Sequence, residues 1–171
     1  MHAIGSGLRN KKVLITGASG DIGSEMARFF AGHGACVGIH YHASRNRAQQ
    51  LQREIKKNWK VRTDLFAADL CGTKACKRVV QDFIKVFGAI DVLINNAGAV
   101  AEYKDFSLLS ETSWDNTFAL NAKAPFFLTG AAFEHMKGKG GRIINISSVN
   151  VKYGGSGKSL HYNASKAASE S

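Results

Sequence analysis

Cysteine and proline are scarce in this chain of 171 residues, which contains three cysteines and one proline. Cys71 and Cys76 lie five residues apart and Cys36 stands alone, so the chain has neither a C-x-x-C pair nor a zinc-type spacing. Reduced, structural cysteines are typical of a cytosolic protein. The scarcity therefore argues against a disulfide scaffold and against a cysteine-based metal centre.

Long hydrophobic runs are also missing. No window approaches the roughly 18 apolar residues of a membrane-spanning helix, and residues 1–10 contain no apolar stretch that could serve as a signal peptide. The apolar content of 44% is ordinary for an α/β protein, and the length fits one domain with a proper core. We therefore predict a single cytoplasmic domain without a membrane partner.

Acidic residues are few, with 13 Asp and Glu against 23 Lys and Arg, which gives a formal net charge of +10. Such an excess raises the question of nucleic-acid binding. The basic residues are scattered, however, and no aromatic residues are interleaved with them as in single-strand-binding proteins. His40 and His42 alternate without a third ligand nearby, which is weak support for a metal. We predict a solvated basic surface, no nucleic-acid partner and no metal.

Apolar strand patterns alternate with helical patterns along the whole chain. The predicted strands cover 13–15, 36–40, 61–67, 90–94 and 142–147. The predicted helices cover 22–33, 44–58, 73–87, 111–136 and a stretch that begins at Leu160. Such alternation with short connections is typical of a parallel sheet with right-handed crossovers and helices on both faces. The sequence thus predicts one doubly wound, Rossmann-like α/β domain.

A glycine-rich turn, Thr16-Gly17-Ala18-Ser19-Gly20-Asp21-Ile22-Gly23, joins the first predicted strand to the first helix. Glycines permit a tight turn there and let the backbone approach a pyrophosphate at the helix N-terminus, where free N–H groups favour an anion. The position directly after the first strand is that of a dinucleotide-binding turn. The predicted cofactor contacts in this turn are Gly17, Ser19, Asp21, Ile22 and Gly23.

Residues at the end of the second strand contact the 2′ position of the adenosine ribose in such a cofactor and distinguish a hydroxyl from a phosphate. Where an Asp or Glu would bind a free ribose hydroxyl, the chain has His40-Tyr41-His42, followed by Ser44, Arg45 and Arg47. Arginine there suits a 2′-phosphate, although arginines at a helix start can also be simply solvated. We predict NADP as the cofactor, with NAD as the alternative. The predicted contacts here are Tyr41, Ser44 and Arg45.

Tyr162 and Lys166 lie four residues apart, one turn from each other on the same face of the last helix. This spacing places an ammonium beside a phenol, which favours the ionised phenolate. Ser148 ends an apolar run, 143–147, that is typical of a buried parallel strand. A phenol, an amine and a hydroxyl at a strand's carboxyl end predict proton transfer to or from a carbonyl or an alcohol.

Taken together, these motifs resemble those of the classical short-chain dehydrogenase/reductase family. The matching residues occur in the family's order over the whole chain: Thr16-Gly17 with Gly23, Asp69-Leu70, Asn95-Asn96-Ala97-Gly98, Asn121, Ser148, and Tyr162 with Lys166. The resemblance implies an NAD(P)-dependent oxidoreductase whose sheet has the strand order 3-2-1-4-5. It places Asp69 and Leu70 at the adenine, and Asn95, Ala97 and Gly98 beside the cofactor cleft.

The resemblance also implies a catalytic tetrad of Asn121, Ser148, Tyr162 and Lys166. Tyr162 would donate a proton to the developing alkoxide, Ser148 would hydrogen-bond the same oxygen, and Lys166 would hold the nicotinamide ribose, so that Tyr162 and Lys166 also contact the cofactor. Pro125 lacks the N–H that would bond the Asn121 carbonyl, which in the family holds a proton-relaying water. We expect that carbonyl to be free; the alternative is a proline that merely bends a surface helix.

Two features depart from the family pattern. Asp21 stands where the pattern has its middle glycine, and we expect its carboxylate to point outward or to cap the first helix. The chain also ends five residues after Lys166, without the family's sixth and seventh strands. We therefore expect a C-terminally incomplete domain over 1–171, with the fifth strand as an exposed edge and a last helix from Leu160 to Ser171 that is marginal by itself.

The substrate and the assembly are predicted only by analogy. Residues 39–45 look like the second-strand exit of 3-oxoacyl-carrier-protein reductases, which favours a 3-oxoacyl thioester, and the basic surface would suit an acidic carrier protein. A glucose-type sugar dehydrogenase is the alternative, and a truncated, non-catalytic dinucleotide-binding protein is the rival class. The helix from Glu111 and the one with Tyr162 are the family's usual subunit interface, which predicts a homodimer or homotetramer.

Overall fold

The computed structural model describes residues 6–170, which form a five-stranded parallel sheet flanked by helices. The strands β1 to β5 span Lys12–Ile15, Cys36–Tyr41, Thr63–Ala67, Val92–Asn95 and Arg142–Asn145. Their order in the sheet is β3-β2-β1-β4-β5, and every neighbouring pair is parallel. The predicted Rossmann-like fold and its strand order are confirmed.

Seven α-helices connect or follow the strands in the described part of the chain. Helices α1 to α7 span Asp21–Gly32, Arg45–Trp59, Thr73–Phe87, Glu111–Phe118, Ala124–Met136, Asn150–Tyr153 and Leu160–Ala168. Among residues 6–170, no helix is long and apolar enough to cross a membrane.

The core has two halves, one on each face of the sheet. In β1, Val13 and Ile15 point into a cluster with α1 and α2, whereas Leu14 points into a cluster with α3 and α5. All three side chains are fully buried, because successive residues of a strand face opposite sides of the sheet. Burial on both faces explains why β1 is a continuous apolar run.

The predicted helical stretch over 111–136 is confirmed in its bounds, and it contains a π-helical turn at Ala119–Lys123 between α4 and α5. The Ala124 N–H bonds to the Ala119 carbonyl, five residues back. Pro125 lies buried in the first turn of α5, directly after the π-helical turn. The proline therefore lies within the helical stretch, at the point where its hydrogen-bond pattern changes.

Smaller boundary differences lie at element ends. Strand β3 begins at Thr63 rather than at residue 61, and β5 ends at Asn145 rather than at residue 147. Helix α6 was not predicted, and α7 ends at Ala168, short of the expected Ser171, which lies outside the described residues. Strand β5 forms the sheet edge in residues 6–170, and Ile144 is 40% exposed. The expected exposure of this strand is confirmed.

Gly38 in β2 faces the ring of Phe83, and this contact gives a test of the core. A Cβ on Gly38 would lie 2.5 Å from two Phe83 ring atoms. Phe83 is fully buried and is held between Phe66 and Phe87, with ring centroids 5.6 and 4.6 Å away. We expect Gly38→Ala to lower the free energy of unfolding by about 1–3 kcal/mol through overpacking, as measured by urea denaturation.

Gly130 in α5 supplies the control for that substitution. It is exposed, and a Cβ there would meet nothing within 4 Å. Gly130→Ala should leave stability unchanged or raise it by up to about 1 kcal/mol, since alanine favours the helix. A Gly38→Ala protein as stable as the wild type would contradict the packing described for Phe83.

Candidate active site

The carboxyl ends of β1 and β4 are tied together by the side chain of Thr16, which is almost fully buried. Its hydroxyl donates to the Ile94 carbonyl at 3.2 Å and accepts the N–H groups of Asn96 and Ala97, both at 3.0 Å. The Asn96 side-chain amide donates back to the carbonyls of Thr16 and Gly17, at 2.8 and 3.2 Å. These bonds fix two loops where the strand order reverses, which is where doubly wound sheets bind ligands.

The turn after β1 needs glycine at two positions. Gly17 has a φ of +62°, and a Cβ there would lie 2.9 Å from the Ala97 Cα. A Cβ on Gly23 would lie 2.4 Å from the Gly17 carbonyl oxygen. No side chain caps α1 at Gly20, so the first N–H groups of this helix have no partner within it. They are available for an anion at the turn.

His40 supports the same turn from the side of β2 and was not predicted to do so. Its Nδ1 accepts the Gly17 N–H at 3.0 Å, and its Nε2–H donates to the Ala68 carbonyl at 3.2 Å. The ring is 2% exposed, and this burial lowers the pKa of His40 to about 4. The neutral imidazole therefore joins the turn after β1 to the end of β3.

A cleft of about 790 Å³ opens along this edge, between the turn after β1 and the loops that follow β2, β3 and β4. Ten of the residues predicted to bind the cofactor line it: Gly17, Ser19, Asp21, Ile22, Gly23, Ser44, Asp69, Leu70, Ala97 and Gly98. At its β3 end, the Cys71 N–H donates to Asp69 at 3.0 Å and holds the pKa of that carboxyl below its usual value. Their contact with a cofactor stays a prediction.

Five of the predicted contacts do not line this cleft: Tyr41, Arg45, Asn95, Tyr162 and Lys166. Tyr41 is buried in the core on the side of α1 and α2. Asn95 is buried, and its side-chain amide donates to Asn145 and Thr129 at 2.8 and 3.2 Å, so it joins β4 to β5 and α5. Arg45 is the exposed first residue of α2 and lies outside the cleft.

Arg47 lines the cleft in the place that the sequence suggested for Arg45. Its guanidinium donates to the Asp21 carboxylate, which joins α2 to the first turn of α1 across the cleft. The Asp21 side chain is 93% exposed and does not cap α1. The expectation that Asp21 points outward is confirmed, and Arg47 is its partner.

Lys166 is buried beside Gly98, one of the residues that line the cleft. Its Nζ donates to the Ile146 carbonyl at 2.8 Å and lies 6.0 Å from the centre of the Tyr162 ring. Burial lowers the pKa of Lys166. A Cβ on Gly98 would lie 2.9 Å from the Lys166 Nζ, so a side chain at this position would have to displace the ammonium group.

Asn121 lies in the π-helical turn and is fully buried. Its side-chain amide donates to the Ala99 carbonyl at 2.9 Å and to the Ser165 hydroxyl at 3.0 Å, and its Oδ1 accepts the Ala99 N–H at 3.0 Å. The side chain therefore joins the loop after β4 to the helix that carries Tyr162 and Lys166. The predicted role of the Asn121 backbone carbonyl stays a prediction.

Ser148 and Tyr162 are the remaining residues of the predicted tetrad. Ser148 lies three residues after β5, and its hydroxyl accepts the Asn150 N–H at 3.3 Å. Tyr162 is half-buried in the first turn of α7, one turn before Lys166. The structure thus places Gly98, Asn121 and Lys166 next to one another. Lys166 also bonds to the Ile146 carbonyl, two residues before Ser148.

Metal ligands are not grouped anywhere in residues 6–170: no three His, Cys, Asp or Glu side chains come together there. Cys36, Cys71 and Cys76 are free thiols. Burial raises the pKa of Cys76 to about 11, which makes it an inert, structural cysteine.

Known proteins share both the sequence pattern and this geometry. A sequence model described as short chain dehydrogenase matches residues 11–171. The chain belongs to this family. An NADPH-dependent aldehyde reductase from Arabidopsis thaliana chloroplasts is 37% identical over 166 residues, which is 94% of this chain and 57% of that protein. The chain thus spans less than two thirds of the length of this relative.

Two solved structures of family members superimpose closely. A short chain dehydrogenase from Burkholderia cenocepacia in complex with NADP has a TM-score of 0.88 and 33% identity, over 94% of this chain and 64% of that one. The NADH-dependent reductase A1-R′ in complex with NAD has a TM-score of 0.84 and 31% identity, over 96% of this chain and 70% of that one. Structures similar to this chain therefore include both an NADP and an NAD complex.

The burial of His40 makes the stability of the fold depend on pH. The folded protein protonates this ring only near pH 4, whereas a free histidine does so at 6.5. Between those values the unfolded chain binds more protons, so the free energy of unfolding falls as the pH drops, by up to about 3 kcal/mol from this group. The full stability is present above pH 6.5.

His40→Asn isolates this effect, because asparagine can accept the Gly17 N–H and does not titrate. The free energy of unfolding, measured by urea denaturation from about pH 7 down to about pH 4.5, should fall less steeply in the variant than in the wild type. This range lies between the pKa values of His40 in the unfolded and the folded chain. Carboxylates contribute equally to both proteins, so they cancel in the difference. Identical pH profiles would contradict the neutral, buried state of His40.

Proposed function

We propose that this chain forms the cofactor-binding and catalytic part of an NADP(H)-dependent oxidoreductase that interconverts a carbonyl and an alcohol. The observation that carries the proposal is the cleft at the point of strand-order reversal, which ends at Gly98, beside the buried Lys166 and Asn121. The relative that reduces aldehydes with NADPH and the similar structure with NADP support this choice.

The residues along the cleft fit a dinucleotide. The uncapped N-terminus of α1 and the close approach of Gly17 to Ala97 leave a backbone cradle suited to a pyrophosphate. Ser44 of the connection from β2 to α2 offers its hydroxyl to a 2′-phosphate, and Arg47 of α2 offers its guanidinium. Asp69 and Leu70 would border the adenine at the other side of this pocket, and Gly98 leads toward the tetrad.

In the proposed reaction, the nicotinamide supplies the hydride when it is bound. The Tyr162 hydroxyl gives its proton to the carbonyl oxygen of the substrate, and the Ser148 hydroxyl donates a hydrogen bond to the same oxygen. The ammonium of Lys166, anchored on the Ile146 carbonyl at 2.8 Å, provides positive charge one turn from Tyr162. Asn121 holds the loop after β4 against helix α7 through its three side-chain hydrogen bonds.

An aldehyde or ketone is the substrate class that we propose, and a 3-oxoacyl thioester or a sugar stays a prediction within it. A homodimer or homotetramer is part of the same proposal. The outer side of α5 exposes Phe126 and Phe133, which lie two turns apart, and Trp114 of α4 is also partly exposed. Large exposed apolar side chains on neighbouring helices support a subunit contact there.

Tyr162→Phe tests catalysis separately from cofactor binding. We expect kcat for NADPH-dependent reduction of a small aldehyde to fall by at least about 100-fold, because the proton donor is lost. The Kd for NADPH, measured by fluorescence titration, should stay within about threefold, since the cleft is unchanged. Activity is followed as the loss of NADPH absorbance.

The exposed Tyr153 of α6 gives a matched control, and Tyr153→Phe should keep wild-type activity. Binding of NADPH without turnover in the wild-type protein would favour the rival, non-catalytic interpretation. A Tyr162→Phe protein with wild-type kcat would remove Tyr162 from the mechanism.

A further inference from the structure

We propose that Asp21 competes with the cofactor's 2′-phosphate for Arg47 and thereby narrows the preference for NADP(H) over NAD(H). The inference rests on the proposed function and deepens it at a position where the common family pattern has glycine. It assigns a specificity-determining role to an acidic residue of the phosphate-binding turn.

The first support is the isolation of Arg47. In the part of the chain that the structure describes, it is the single Lys or Arg that lines the cleft. It lies two residues into α2, beside Ser44 and His42 of the β2–α2 connection, where the 2′ position is read. A 2′-phosphate bound there has one guanidinium to pair with.

The second support is that this guanidinium already has an anionic partner. Arg47 donates to the Asp21 carboxylate in the first turn of α1, and both residues line the cleft. Carboxylates and phosphates engage the same planar fork of N–H donors. A bound 2′-phosphate must therefore displace Asp21 or share Arg47 with it, at close range to a like charge.

The size of the effect follows from exposure. The side chains of Arg47 and Asp21 are 58% and 93% exposed, so solvent screens the pair. Breaking such a pair weakens phosphate binding by about two- to fivefold rather than by orders of magnitude. A cofactor without a 2′-phosphate leaves the pair intact. The loss of binding affinity therefore applies to NADP(H) and not to NAD(H).

Calorimetric titration with 2′,5′-ADP and 5′-AMP tests this without requiring turnover. Asp21→Asn should tighten 2′,5′-ADP by about two- to fivefold and leave the affinity for 5′-AMP essentially unchanged. Arg47→Ala should weaken 2′,5′-ADP, and adding Asp21→Asn to it should then give no gain. A gain in affinity is a result that damage to the fold does not produce.

Two arginines of the same helix serve as comparisons. Arg53→Ala removes an equal charge from an exposed position of α2 and should leave both titrations within about twofold. Arg45→Ala tests the assignment made from the sequence. If it weakens 2′,5′-ADP while Arg47→Ala does not, Arg45 is the phosphate contact and the inference is overturned.

The remaining outcomes separate this inference from the proposed function. Normal binding of NADPH and 2′,5′-ADP, with Asp21→Asn equal to the wild type, overturns the inference and leaves the function standing. The same holds if the gain persists without Arg47, because Asp21 would then act by general repulsion. Failure of the wild-type protein to bind either ligand overturns both.

Discussion

The buried hydroxyl of Thr16 is the contact on which the rest of the site depends. With one donated and two accepted hydrogen bonds, it joins the ends of β1 and β4, where the sheet reverses its strand order. The Asn96 amide closes the same junction from the other side. The turn after β1 and the loop that leads to Gly98 are therefore held together by two short side chains that bond to backbone groups.

Few charged side chains line the cleft, so each of them contributes a large share of the electrostatic potential there. Two carboxylates, Asp21 and Asp69, and one guanidinium, Arg47, line it in the described residues, and His40 is held neutral by burial. The net charge of +10 is thus not concentrated there. Attraction for an anionic cofactor has to come from Arg47 and from the N-terminus of α1.

The sequence predicted the sheet and most of the cleft because these follow from local patterns: apolar runs of period two, helical spacing and a glycine turn after β1. It did not predict contacts that depend on how elements meet. Arg47 rather than Arg45 lines the cleft because the position of α2 relative to α1 decides which side chain points inward. The π-helical turn before Pro125 and the bond from Lys166 to the Ile146 carbonyl are likewise tertiary features.

We propose that a dinucleotide lies along the carboxyl edge of the sheet, from Arg47 to Lys166. A crystal structure of the protein with NADP tests this most directly. We expect the pyrophosphate at the N-terminus of α1, the 2′-phosphate at Arg47 and the nicotinamide ribose at Lys166. A cofactor bound elsewhere, or bound with its adenine end at Gly98, would contradict it.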